Sequence, residues 1–218
     1  MKRIALATRW ALICAAIWGV SAFSPATPLA AQGIALTQEQ IATVRQINSY
    51  INGLSSLKGR FTQLGPNAEF TEGAFYLQRP GRMRFEYAPP NPTLVIADGF
   101  WVGIEDRALR STQKYPLATT PLSLLLDEKV DLLKEARIVG FEDRDGEIAL
   151  TVEAKSSSTP GRLTLIFGGP TFALKQWKVL DAQGLTTEVA VFDLVSGLRL
   201  DPKLFWIDDN LIFETDQR

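Results

Sequence analysis

Hydrophobic positions along the chain change period once, near residue 55. Before that point Ile41, Val44, Ile47, Ile51 and Leu54 recur at helical intervals, with Gln, Arg and Asn between them. Such a stripe predicts an amphipathic helix that lays one face on apolar surface. Thr37 and Gln40 have the spacing of a capping box at its start, and Gly53 is placed to stop it. From Leu57 onward short runs of Phe, Val, Leu, Thr and Tyr are broken by Gly, Pro and Asp about every 8–12 residues, which predicts antiparallel strands. Alternation is plain in Ile148/Leu150/Val152, Leu163/Leu165/Phe167 and Leu185/Thr187/Val189/Val191. Pro80-Gly81, Asp98-Gly99, Asp145-Gly146, Gly168-Gly169-Pro170 and Gln183-Gly184 supply the turns. The pattern predicts about nine to eleven strands following one another through tight turns, as one wide sheet that curls partly closed rather than a two-sheet sandwich.

Residues 117–133 break this pattern. Pro116 and Pro121 bracket a loose stretch; Leu122, Leu124, Leu125 and Leu126 then precede Asp127-Glu128-Lys129 and the pair Leu132-Leu133. With no period of two, the stretch reads as one or two short helices inserted among the strands. Two roles fit it: a connection packed into the core, or a movable apolar cover over the mouth of the curled sheet. The beginning of the chain is different again. Met1-Lys2-Arg3 is basic, residues 10–23 are uncharged and mostly apolar, and Leu29-Ala30-Ala31 ends the stretch on small residues. That is the layout of a secretory signal peptide over residues 1–31, too short in its apolar part for a bilayer span of about 20 residues. Residues 32–218 then form a single domain of 187 residues, with 20 Lys and Arg against 24 Asp and Glu.

Composition narrows the chemistry. The chain has no His and one Cys, Cys14, inside the expected leader. Ser-His-Asp and Cys-His catalytic sets and His-ligated metals are thereby excluded. A net charge of −1 shows none of the basic excess typical of nucleic-acid binding. The acidic pairs Glu105-Asp106, Asp127-Glu128, Glu142-Asp143 and Asp208-Asp209 sit among turn residues and read as solvated rather than catalytic. No phosphate loop, dinucleotide fingerprint or calcium ladder is present, so no cofactor or metal is expected.

One constellation carries more: Gln78-Arg79-Pro80-Gly81-Arg82-Met83-Arg84-Phe85-Glu86-Tyr87. Arg79 shares a strand face with Gly73, Phe75 and Leu77; if those face the interior, so does its guanidinium. It either stays hydrated on the rim or spends its donor fork on backbone carbonyls of the inserted helical stretch. The segment resembles the Arg-Pro-Gly-Arg-Phe-Arg-Trp-Glu-Tyr stretch of the LolA family of periplasmic outer-membrane lipoprotein carriers. Phe61-Thr62-Gln63 resembles that family's early Phe-x-Gln strand, Val95-Ile96-Ala97-Asp98-Gly99 its hairpin, Asp181-Ala182-Gln183-Gly184 its late turn and Leu204-Phe205 its closing strand. Gln78, Met83 and Phe85 depart from the pattern, and residues 208–218 lack the usual Pro-Gly ending.

The resemblance implies an incomplete β barrel, α+β by class, with an N-terminal helix and a helical lid over an apolar cavity. It implies a monomeric periplasmic carrier and no enzyme. Acylated lipoproteins would be its cargo, an inner-membrane lipoprotein-releasing ABC transporter its donor and, in some organisms, an outer-membrane receptor its acceptor. By the same analogy Arg79 is the lid-closing residue and Leu122, Leu124, Leu125 and Leu126 belong to the lid. Candidates to line the cavity are Phe61, Phe75, Leu77, Met83, Phe85 and Tyr87 from the early strands, Leu94 and Ile96 from the hairpin, and Leu165, Phe167 and Trp177 from the later strands. Each would otherwise be ordinary core. The rival function on the same half-barrel is a periplasmic sensor of lipids or lipoproteins.

Overall fold

The chain enters its sheet at the centre, walks out to one edge, crosses to the other and walks back. In a computed structural model, residues 33–155, 161–169 and 171–208 are described. The leader expected over residues 1–31 and the tail after Asp208 lie outside these residues. Helix α1 spans Gln38–Gly53, opened by the expected capping box: Gln40 N–H donates to Thr37 Oγ1 (3.2 Å) and Thr37 N–H to Gln40 Oε1 (2.9 Å). Val44, Ile47 and Ile51 form its buried stripe.

Eleven strands follow. The first six are β1 Ser56–Leu64, β2 Phe70–Gln78, β3 Arg82–Tyr87, β4 Thr93–Asp98, β5 Trp101–Asp106 and β6 Ser111–Pro116. After the crossing come β7 Ala136–Arg144, β8 Glu147–Ala154, β9 Arg162–Gly168, β10 Ala173–Leu180 and β11 Thr186–Ser196. They make one antiparallel sheet in the order β6-β5-β4-β3-β2-β1-β11-β10-β9-β8-β7. Every sequential neighbour pairs with the next except β6 and β7, which are the two edges; β1 and β11 meet in the middle. The connection from β6 to β7 must therefore span the whole sheet. It does so as a 3-10 turn at Leu117–Thr119, helix α2 at Ser123–Leu126 and helix α3 at Leu132–Glu135. The insertion expected over 117–133 is thus the edge-to-edge strap, and it packs on the same apolar face as α1.

That face holds the main core. Leu57, Phe61, Phe75, Leu77, Met83 and Phe85 join Leu150, Leu163, Leu165, Phe167, Trp177 and Val191, covered by α1 and by Leu125, Leu126, Val130 and Leu132 of the strap. A second, smaller cluster lies on the opposite face. There Phe205, 1% exposed, covers Leu94 and Ile96. Register explains the division: Phe85 is opposite Val95 and Met83 opposite Ala97, so the inward positions of β4 are Val95 and Ala97. Leu94 and Ile96, expected as cavity lining, instead stand opposite Glu86 and Arg84 and face outward. The run Leu94-Val95-Ile96-Ala97 is apolar on both faces, so alternation had no polar position from which to fix the phase.

The expected closing strand at Leu204-Phe205 is corrected as well. Residues Pro202–Phe205 form a 3-10 turn, with Pro202 at the start and the Asp201 carboxylate accepting from Lys203 N–H (2.9 Å). The segment then crosses the outer face of β3–β5. Arg84 Nη1 donates to the Leu204 carbonyl (3.0 Å), and Asp208 N–H donates to Glu105 Oε1 (3.1 Å). Glu105 is buried beneath it at 5% exposure, unlike the solvated turn acid expected from its pairing with Asp106.

Candidate functional site

Two backbone features bring Arg79 to the strap. The β2–β3 hairpin turns through a cis Arg79-Pro80 bond and Gly81 at φ +74°, a conformation that glycine adopts without a Cβ penalty. Gly81 N–H donates to the Leu126 carbonyl (2.7 Å), and Arg79 N–H donates to the Ser55 carbonyl (3.0 Å). The hairpin tip is thus pinned between the end of α1 and the end of α2. From there the Arg79 side chain reaches four acceptors. Its Nε donates to the Asp127 carbonyl (3.2 Å), and Nη2 to the carbonyls of Asp127 and Glu128 (3.2 Å for Glu128) and to Asn52 Oδ1 (3.2 Å). Its Nη1 donates to the Ile51 carbonyl.

The Ile51 carbonyl lies in the last turn of α1, which carries no basic residue of its own. Asp127 is the C-cap of α2. One guanidinium therefore serves two helix C-termini, where carbonyls lack intrahelical donors and a positive charge is favoured. Partial burial lowers the Arg79 pKa from its usual value, with the Asp127 charge opposing the shift. Arginine stays protonated through such a shift, so the contact is a permanent cation.

Two asparagines, read in the sequence only as polar filler of α1, extend the contact. Asn52 Nδ2 donates to the Val130 carbonyl (2.7 Å), and its Oδ1 accepts from Val130 N–H (2.8 Å). One turn earlier, Asn48 Oδ1 accepts from Leu132 N–H (3.2 Å) while its Nδ2 donates to Asp131 Oδ1 (3.3 Å). The signal was present as an i, i+4 pair flanking Ile47 and Ile51, but spacing alone does not say what lies opposite. Of the four strap leucines, Leu125 and Leu126 are buried, whereas Leu122 and Leu124 are partly exposed and pack against the same core.

Beneath the strap, aromatic rings meet directly. Phe61 and Phe85 are edge-on at 4.9 Å between centroids, and Phe61 and Tyr87 at 5.1 Å. Phe75 lies 5.1 Å from Phe85, and Trp177 is 5.9 Å from both Phe75 and Phe85. Phe167 takes the edge of Tyr50 at 6.2 Å, a partner the sequence did not single out. Leu77, Met83 and Leu165 complete this face. Tyr87 closes one end, its hydroxyl donating to Gln63 Oε1 (2.8 Å); burial raises its pKa, partly offset by that bond. In this conformation these rings touch one another where the resemblance assigns a hollow. Clefts at the surface include four of about 370–700 Å³; of the expected lining residues Tyr87 borders the 700 Å³ one, and Phe61, Phe75, Phe85 and Trp177 border none of these four. The nearest to the strap, about 400 Å³, runs from Pro80 and Phe100 to Leu117, Leu126 and Asp127.

Among the described residues no group of three or more Cys, Asp or Glu side chains is placed to hold a metal ion. No described helix is long and apolar enough to cross a membrane.

Comparison with known proteins places this geometry. The family profile described as "Outer membrane lipoprotein carrier protein LolA" matches residues 52–208. An outer-membrane lipoprotein carrier protein of Methylococcus capsulatus is 28% identical over 187 residues, covering 82% of this chain and 88% of its own. One from Cupriavidus pinatubonensis is 30% identical over 176 residues, covering 75% of this chain and 80% of its own. The crystal structure of a LolA superfamily protein from Nitrosomonas europaea superposes with a TM-score of 0.45 at 9% identity, covering 80% of this chain and 99% of that one. The chain belongs to the LolA family of outer-membrane lipoprotein carriers, proteins that carry a cargo and perform no reaction on it.

Proposed function

We propose that this chain binds the acyl chains of lipoproteins beneath the 117–135 strap and shuttles them through the periplasm. In this reading it works as a monomer, takes cargo from an inner-membrane ABC transporter and delivers it to the outer membrane, directly or through a receptor. The physical need is large. Each methylene held in water costs about 0.8 kcal/mol, so one 16-carbon chain exposed in transit costs roughly 12 kcal/mol.

The observation that carries the reading is the Arg79 contact. A cover meant only to fill a core needs no charged clamp; here the strap is held by hydrogen bonds from one cation to carbonyls at its edge. Hydrogen bonds to a charged group contribute about 1.5–3 kcal/mol each. Several of them together are comparable with, yet smaller than, the gain from burying a whole acyl chain. Cargo entry can then break the clamp and spread the ring cluster, while reclosure of rings and clamp favours release.

Arg79→Leu tests this. In a reconstituted transfer assay the variant should accept acylated cargo and pass it on about tenfold more slowly. Native mass spectrometry of the variant purified from the periplasm should find acylated ligand retained. Unchanged transfer kinetics would reject the role of Arg79, and absence of any acylated ligand on either form, with no transfer, would reject the function.

A further inference from the structure

Three large apolar side chains stand in solvent at the end of the sheet that holds Arg79. Phe100 is 81% exposed, Trp206 66% and Trp101 43%. Phe100 and Trp206 border one cleft of about 370 Å³ together with Arg82, and Phe100 also borders the cleft beside the strap. The tip is held rigid: Gly99 turns at φ +114°, and the Asp98 carboxylate accepts from the N–H groups of both Phe100 and Trp101 (2.8 Å each). Ring exposure here is built in rather than a frayed loop.

The charges are arranged to match. Lys203 Nζ sits 6.0 Å from the Trp206 ring centre and Lys114 Nζ 5.7 Å from that of Trp101. Of the neighbouring acids, Asp98 and Asp201 accept from backbone amides, and Asp127 and Glu128 border the strap cleft on the other side of Phe100. Exposed aromatic rings with lysines beside them are suited to a membrane–water interface, where rings sit at the depth of the headgroups and ammonium groups meet phosphate.

We propose that the β4–β5 hairpin tip and residues 202–206 form a docking face for a phospholipid bilayer, with Phe100 and Trp206 entering the headgroup layer. The face adjoins the Arg79 clamp, so the strap would open against the membrane. The inference goes beyond the carrier reading and is separable from it, because protein without cargo suffices to test it.

The experiment is flotation of protein purified from the periplasm, in fractions that native mass spectrometry shows to be free of acyl ligand, with vesicles of phosphatidylethanolamine and phosphatidylglycerol at 3:1. The native protein should float with the lipid, and the double variant Phe100→Ser/Trp206→Ser should partition at least tenfold less. Both replaced rings are largely exposed, so its circular dichroism and melting should match the native protein. Phe70→Ser removes a ring of similar exposure (67%) at the far end of β2 and should leave partitioning unchanged. Lys203→Gln should weaken partitioning about two- to threefold on these vesicles and leave it unchanged on phosphatidylcholine alone. The proposal is overturned if native protein stays with the aqueous phase at 1 mM lipid, if the double variant floats equally well, or if flotation requires vesicles that carry membrane proteins, which would assign the face to a protein partner. Acyl-ligand retention measured on the same samples reports separately on the carrier function.

Discussion

Replacing Asn52 by Ala removes two bonds between the strap and α1 that are shorter than those of Asn48. Two bonds of 2.7 and 2.8 Å to the backbone of Val130 are lost, and with them one acceptor of the Arg79 fork at 3.2 Å. Neutral hydrogen bonds contribute about 0.5–1.5 kcal/mol each, so the pair is worth about 1–3 kcal/mol. Val130 is 3% exposed, so its N–H and C=O are left without an immediate substitute from water. Alanine returns about 0.5 kcal/mol through its better helix propensity. The net destabilisation of the closed strap is then about 0.5–2.5 kcal/mol, and a factor of ten in exchange corresponds to about 1.4 kcal/mol. Native-state hydrogen exchange is the suitable assay, because it separates local from global opening. Val130 and Leu132 amides should exchange up to about sixtyfold faster, while Leu150 and Leu165 in the sheet change far less. If Val130 keeps its native exchange rate, the asparagine bonds contribute nothing to closure. If sheet amides accelerate in step with Val130, the strap is not an independent element and the carrier mechanism loses its moving part.

Other outcomes follow from the same coordinates. Arg79→Lys keeps a cation near the C-terminus of α1 but loses the planar fork; stability should fall less than in Arg79→Leu, while cargo transfer, read in the reconstituted assay, should be slowed nearly as much. Gly73→Ala would place its Cβ 2.0 Å from the Glu86 carbonyl oxygen and 2.8 Å from the Phe61 ring, so β2 and β3 must part; overpacking costs about 1–3 kcal/mol, a melting drop of roughly 3–10 °C by calorimetry. Phe205→Ala should cost about 3–5 kcal/mol and make residues 197–208 accessible to limited proteolysis, since Phe205 is the fully buried side chain that this segment lays over Leu94 and Ile96. Burial by itself would raise the Glu153 pKa, but its bonds to Arg137 (2.6 Å) and Arg162 (2.7 Å) lower it overall. A depressed carboxylate contributes its stability above its unfolded pKa and loses it as pH falls through the folded one. Glu153→Gln should therefore melt lower than the native protein at pH 7, and the difference should vanish on acidification below the ordinary carboxylate range.

Legibility followed from how many neighbours an element needs. The capping box and apolar stripe of α1 are local, and both stand where the spacing placed them. The hairpin turns are equally local: Gly81, Gly99, Gly146, Gly169 and Gly184 all adopt positive φ at the predicted reversals. Strand faces were readable wherever polar residues alternated with apolar ones, as in Ile148/Leu150/Val152, and failed at Leu94-Val95-Ile96-Ala97, where none did. The two-residue motif Leu204-Phe205 could not show that Asp201 and Pro202 would set a 3-10 turn in place of a strand. Asn48 and Asn52 were invisible for a different reason. Their partners lie 78–84 residues away in sequence, on a segment whose path is fixed only once β6 and β7 are known to be opposite edges.

That topology also explains how one arginine comes to meet both α1 and the strap. A chain that starts at the centre of a sheet and must reappear at the far edge has to lay one connection across the concave face. The β2–β3 hairpin, one strand from the central β1, meets that connection at its midpoint, close to residues 126–128. Helix α1 precedes β1 through Leu54 and Ser55 alone, so its C-terminus is delivered to the same place. Two helix ends with no basic residue in their last turns thus converge where one hairpin tip presents a guanidinium. Removing the cation takes a donor from the Ile51, Asp127 and Glu128 carbonyls, so on the proposed mechanism the closed arrangement loses ground to the open one, while Asn48, Asn52 and the buried strap leucines still favour closure. A clamp of this kind is strong in the closed state and contributes nothing once the strap lifts, which is the differential that a carrier needs between holding its shape empty and yielding to cargo.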